Sequence, residues 1–187
     1  MCSSDLLSGT PNGAGAPDTL MSSDDGVSIP DAADFVDDRT ILARDARTPG
    51  VYRIDISAKP VRVDTLFTDA FFPTVSPDRK HFAWQNAATN QIFVSEYPPG
   101  AKRHQVGTGA VEPIWLSSTE LLYRSSVTWY KVRIDPASGE PVDAPTAWAR
   151  DNRFLDTPGW SNRPSRDGGI IYSQSLPQAD THYLRFI

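Results

Sequence analysis

The sequence predicts an all-β fold of about four repeated, four-stranded antiparallel units, and three observations carry that reading. The first is an internal period. Leu42, Phe82 and Leu122 stand 40 residues apart, and Tyr52, Ile92 and Val132 repeat the interval ten residues further on. The second is the pattern within each unit. Apolar residues alternate or run in fours to sixes rich in Val, Ile, Tyr, Phe and Trp, with Pro, Gly, Asp and Asn at the breaks. The third is a load of 16 prolines and 12 glycines in 187 residues, which leaves no room for long helices. Strand-rich units of about 40 residues in series are the sequence form of β-propeller blades, and the two-residue alternation excludes helical solenoids of similar period.

Residues 1–29 come first. Ser, Gly, Asp, Pro and Ala dominate there, with scattered Leu and Met, so the segment buries too little apolar surface to offset the entropy of ordering. It is expected to be a flexible acidic lead-in: eight aspartates precede Arg39, the first basic residue. It lacks the basic and apolar regions of a secretory signal. Asp24-Asp25-Gly26 lacks the alternating oxygen ligands and terminal Glu of an EF-hand, which leaves these aspartates as a solvated linker.

The propeller part spans 30–187. Unit one, 30–70, holds Ile41-Leu42-Ala43-Arg44 and Tyr52-Arg53-Ile54 as strands, with Asp38 as the turn aspartate before them. Unit two, 71–110, holds Phe72-Pro73-Thr74-Val75, His81-Phe82-Ala83-Trp84 and Gln91-Ile92-Phe93-Val94. In its Ser76-Pro77-Asp78 turn, Pro presets φ and Asp closes an Asx hydrogen bond. Its third strand is apolar on both faces, as befits a strand between neighbouring blades. Unit three, 111–159, runs through Glu112-Pro113-Ile114-Trp115 and Leu121-Leu122-Tyr123-Arg124. Beyond these, Tyr130, Val132 and Ile134 share one face, with Lys131 and Arg133 on the wet one. The stretch 135–158 is longer than a strand connection needs and reads as a functional loop. Unit four, 160–187, answers the turn of unit two with Ser165-Arg166-Asp167-Gly168, and 182–187 falls on a third strand. On this count the units belong to a larger ring of about six to eight blades. An isolated chain with an open blade edge is expected to associate.

Composition narrows the role. A net charge of −5 argues against a nucleic-acid partner, and apolar runs of only a few residues exclude a membrane span within the chain. Cys2 is the single cysteine, and His81, His104 and His182 sit in or beside strands of different units, where each reads as a half-exposed strand residue. No metal and no cofactor are therefore expected. A Gly-x-Ser-x-Gly elbow is absent, as are a Gly-rich phosphate loop and the His-Arg-Asp and Asp-Phe-Gly motifs, so no catalytic centre is expected.

Pro73-Thr74-Val75-Ser76-Pro77-Asp78-Arg79-Lys80-His81-Phe82-Ala83-Trp84, followed by Gln91-Ile92-Phe93-Val94, resembles the TolB-type, WD40-like propeller repeat. Unit three keeps Pro113 and Trp115 but has Leu116-Ser117-Ser118 where that repeat has Ser-Pro-Asp. The order of 93–100, 105–115 and 120–124 is similar to the C-terminal, sensor-like propeller of bacterial eukaryotic-like serine/threonine protein kinases. That resemblance implies a non-catalytic binding or sensing module of a larger signalling protein, in an extracytoplasmic or periplasmic setting. TolB-like propellers also cap prolyl-oligopeptidase-type serine peptidases, the alternative implied role.

Among candidate ligand residues, Arg44, Trp84 and Arg124 occupy equivalent second-strand ends and are expected to line one face. Trp160 follows the turn Asp156-Thr157-Pro158-Gly159 toward an inner strand. The other tryptophans read as inter-blade packing. A protein or peptide docking at a loop-rich rim is the expected partner, with a small ligand as the second choice.

Overall fold

A computed structural model describes residues 6–8, 16, 18–21, 31–44, 48–150, 163–164, 170–175 and 182–186, with side chains at 16, 19, 34–44 and 48–150. Among the described residues every regular element is a strand. Two compact units divide the chain, Met1–Thr68 and Asp69–Ile187.

In the first unit, β1 (Leu6–Ser8) pairs with β2 (Asp18–Met21), within the segment whose composition points to a flexible lead-in. The scattered apolar residues that composition discounted enter this ladder, Leu6 facing Met21. The first blade follows as a meander of β3 (Asp31–Phe35), β4 (Thr40–Arg44), β5 (Val51–Asp55) and β6 (Arg62–Phe67), in that spatial order. Its core is Ile41, Ala43 and Ile54, with Ile56, Val61 and Val63 packed against them.

The second unit holds the next blades. The second is β7 (Ala70–Val75), β8 (His81–Asn86), β9 (Gln91–Glu96) and β10 (Arg103–Thr108); the third is β11 (Val111–Ser117), β12 (Glu120–Ser125), β13 (Thr128–Arg133) and β14 (Thr146–Arg150). A three-stranded sheet of β15 (Arg163–Pro164), β16 (Ile170–Ser175) and β17 (His182–Phe186) comes last. The fold is all-β and of the β-propeller class, with four-stranded antiparallel blades at the predicted period. β11 packs against β7, β8 and β9. Between these blades Ala83, Ile92, Val94 and Val106 meet Trp115, Leu121, Val132 and Ile134 in one buried cluster. Trp115 is thus an inter-blade residue, as read from the sequence, whereas Trp129 packs with Ile114 and Leu122 in a separate core of the third blade.

One hydrogen bond recurs in every four-stranded blade. The amide just beyond the third strand donates to the carbonyl just before the second: Ile56 to Arg39, Tyr97 to Lys80 and Ile134 to Thr119, each at 2.8 Å. The turn between first and second strands is less regular. In the second blade Ser76 Oγ donates to Asp78 Oδ1 at 2.7 Å, and Asp78 also accepts from the Lys80 amide, as the Ser-Pro-Asp signature predicts. In the first blade Asp37, not Asp38, accepts from the Arg39 amide. The turn there is one residue shorter, for Val36 bonds to Thr40 where Ser76 bonds to His81, so a strict 40-residue offset names the wrong aspartate.

Inner strands β7 and β11 each carry a bulge. Phe72-Pro73 and Glu112-Pro113 fall within the register shifts between Phe71 and Thr74 and between Val111 and Ile114. Phe72 and Glu112 take the left-handed region there, at φ 50° and 59°.

Candidate recognition rim

At one end of the second and third blades three short loops meet: 87–90 between β8 and β9, 109–110 between β10 and β11, and 126–127 between β12 and β13. Each is fixed locally. Asn86 Oδ1 accepts from the Ala88 and Thr89 amides and from Thr89 Oγ1, while Asn86 Nδ2 donates to Asp69. Asn90 turns the chain at φ 51° and accepts from Gln85 Nε2 at 2.9 Å. Gly109 stands at φ 58°, where a Cβ is strained although no atom lies near it. Ser126 takes φ 54°.

Hydrogen bonds then tie the loops to one another. The Ala110 amide donates to the Asn90 carbonyl, and Ser125 Oγ to the Gly109 carbonyl, both at 2.8 Å. Beneath them Arg124 binds both oxygens of Glu112, at 2.8 and 3.2 Å, and its third nitrogen donates to the Ser126 carbonyl. This pair is buried, with Glu112 4% and Arg124 8% exposed, so each charge is answered where water is excluded. The surface that results is small and polar: Ala88, Thr89, Asn90, Thr108, Gly109 and Ser126 are exposed on it, with the exposed Asp69 carboxylate beside Asn86 at its edge.

The candidates from sequence fall differently on this frame. Arg124 braces the rim from below through Glu112. Trp84 ends at the same side of its blade, but its indole is 1% exposed, stacked 5.2 Å from Phe82 and 5.7 Å from Phe93. Arg44 is half-buried at the end of β4 in the first unit, opposite Val51. Trp160 and the Ser165-Arg166-Asp167-Gly168 turn lie outside the described residues. Sequence reasoning passed over Asn90, Gly109, Glu112 and Ser126. The signals available were the Asn-rich break 86–90, the Gly-Thr-Gly run at 107–109 and a glutamate placed before a proline.

At the opposite end, the 135–158 stretch read as an open loop has a folded beginning. Asp135 Oδ1 accepts from the Ala137 and Ser138 amides and from Ser138 Oγ, Ile134 bridges to Pro141, and 146–150 supply the fourth strand of the blade. These bonds hold the Asp135 carboxyl below its ordinary range, the Ser138 amide most strongly. Asp78 is lowered likewise, chiefly by Ser76 Oγ. His81 is 3% exposed rather than half-exposed, and burial holds its imidazole below the ordinary value. His104 keeps a side chain 15% exposed, and His182 lies where no side chain is described. Among the described residues no three His, Cys, Asp or Glu side chains gather as metal ligands, and no helix is long and apolar enough to cross a membrane.

No family model and no curated protein matches the chain. Among solved structures it is similar to the β-propeller Hsv2 of Kluyveromyces lactis, at 8% identity and a TM-score of 0.46 over 83% of this chain and 50% of that one. Hsv2 with its complete loop 6CD aligns at 8% identity and 0.45 over 84% and 50%. The form with loop 6CD replaced by a Gly-Ser linker aligns at 8% and 0.45 over 78% and 46%. The chain spans about half the length of these structures.

Proposed function

We propose that this chain is a non-catalytic recognition module that binds an extended peptide segment of a protein partner across the rim of 87–90, 109–110 and 126–127. The observation that carries the reading is the loop-to-loop bonding of that rim. Its loops are ordered before any ligand arrives, so binding costs little conformational entropy. Exposed Thr, Asn, Ser and Gly supply donors and acceptors that suit a peptide backbone without demanding a charge. By the kinase-propeller resemblance, the module serves as the sensing part of a larger signalling protein such as a serine/threonine kinase.

A peptide array probed with the full chain tests this. We expect hits whose affinity falls at least about tenfold on Ala88→Lys with Ser126→Lys, both exposed on the rim, since a rim contact set is worth a few kcal/mol, while the melting midpoint is retained. Hits insensitive to both substitutions overturn the rim. Turnover of ester, lactone or peptide substrates that is lost in His81→Ala or His104→Ala overturns the non-catalytic reading.

A further inference from the structure

At the end opposite the rim, one turn of the third blade adds a contact with the second beyond their shared core. Residues 135–140 close on themselves, with the Gly139 amide donating to the Asp135 carbonyl at 2.9 Å and the Asp135 amide to the Glu140 carbonyl at 2.8 Å. The turn then lies across the second blade. A Cβ at Gly139 would stand 3.0 Å from His81 Cδ2, 3.4 Å from His81 Nε2 and 3.8 Å from Val94 Cγ1, and Gly139 itself sits at φ 75°. Beside it Glu140 Oε1 is 3.3 Å from Lys102 Nζ and 3.8 Å from His104 Nδ1. The His81 ring lies under the turn, 6.2 Å from the ring of Trp115. Its Nδ1 is buried and meets no hydrogen-bond partner.

We propose that this contact is a pH-released latch, in which protonation of His81 frees the 135–140 turn from the second blade. A neutral imidazole can leave one nitrogen bare; an imidazolium must place two N–H donors and a charge. At His81 the second donor would point from Nδ1 into a space without an acceptor, while the opposite, Cδ2–Nε2 edge of the same ring lies against the turn at Gly139, so a ring that shifts to hydrate its new N–H disturbs that contact. The groups facing it are Asp78 and Lys80 from the turn before β8, Glu96 opposite on β9, and Asp135 from the latch itself, with β11 presenting the uncharged Trp115. Asp78 and Asp135 favour the cation and Lys80 opposes it, but loss of hydration outweighs them and the imidazole stays below its ordinary 6.5. The folded state therefore binds this proton less readily than the unfolded chain does. The stability linked to His81 is complete above pH 6.5 and declines as the pH falls below it.

The test follows unfolding of the full chain at about pH 7.5 and about pH 5.5, together with Trp115 emission, which a neighbouring imidazolium quenches and Trp115→Phe identifies. We expect the folding equilibrium constant to fall by as much as about tenfold on acidification, with quenching of Trp115. His81→Gln, which keeps a polar but uncharged side chain, should remove that part of the slope, and His104→Gln should retain it. A wild-type slope in His81→Gln overturns the latch. Should that variant fail to fold, the wild-type His81 ring protons decide by NMR. A midpoint below 6.5 with the Gly139 resonance moving in step supports the latch, whereas an ordinary midpoint or a stationary Gly139 overturns it.

Discussion

One position of the repeat carries three chemistries. Arg44, Trp84 and Arg124 stand at the same place 40 residues apart, as a half-buried cation, a stacked indole and the partner of a buried carboxylate. Period exposes their equivalence, yet only the neighbours decide their roles. Glu112 on the bulge makes Arg124 a brace, and Phe82 with Phe93 makes Trp84 a core residue. Arg124→Met should cost about 3–5 kcal/mol in chemical denaturation because it strands the Glu112 charge, while Glu112→Leu with Arg124→Met should recover most of the loss. Trp84→Ala should cost about 3–5 kcal/mol as a large-to-small core change. The left-handed Ser126 offers the reverse case. Ser126→Gly relieves its backbone, keeps the carbonyl that Arg124 uses, and should stabilise the chain by about 1 kcal/mol.

Among the elements, second and third strands were legible because their apolar residues recur with one period and pack with one pattern; β4, β8 and β12 all begin within a residue of the predicted interval. The outer strands were not. β14 alternates weakly and is mostly exposed, so its residues read as part of a long loop. Bulges at Phe72-Pro73 and Glu112-Pro113 were invisible because they change backbone register, not composition. The burial of His81 was equally hidden, since the cover over it comes from a turn more than fifty residues away in sequence. Local chemistry was clearer: Ser76-Pro77-Asp78 specified its turn outright. Asp78→Ala removes one acceptor shared by Ser76 and Lys80, and should lower stability by about 1 kcal/mol; the same change at Asp38 should leave it unaltered within about 0.5 kcal/mol, because Asp37 holds that turn.

For the chain as a whole, the carboxylates set the acid limit. Asp55, held down by Ser57, Asp64, held down first by Arg53, and Asp78 and Asp135 all lie below the ordinary 3.8. Their folded forms bind protons less readily than the unfolded chain, so their contribution is present above that value and disappears as the pH falls through and below it. Denaturation followed from about pH 5 to about pH 2 should show a second loss of stability, separate from that of His81 and retained in His81→Gln. The recurring bond at Ile56, Tyr97 and Ile134 has a use of its own. Each four-stranded blade carries one amide proton bonded to the equivalent carbonyl, so the protection of the three against deuterium uptake compares the blades at one corresponding position. Equal rates would mean that the blades open in a single cooperative event. Unequal rates would rank them, naming the blade that lets go first.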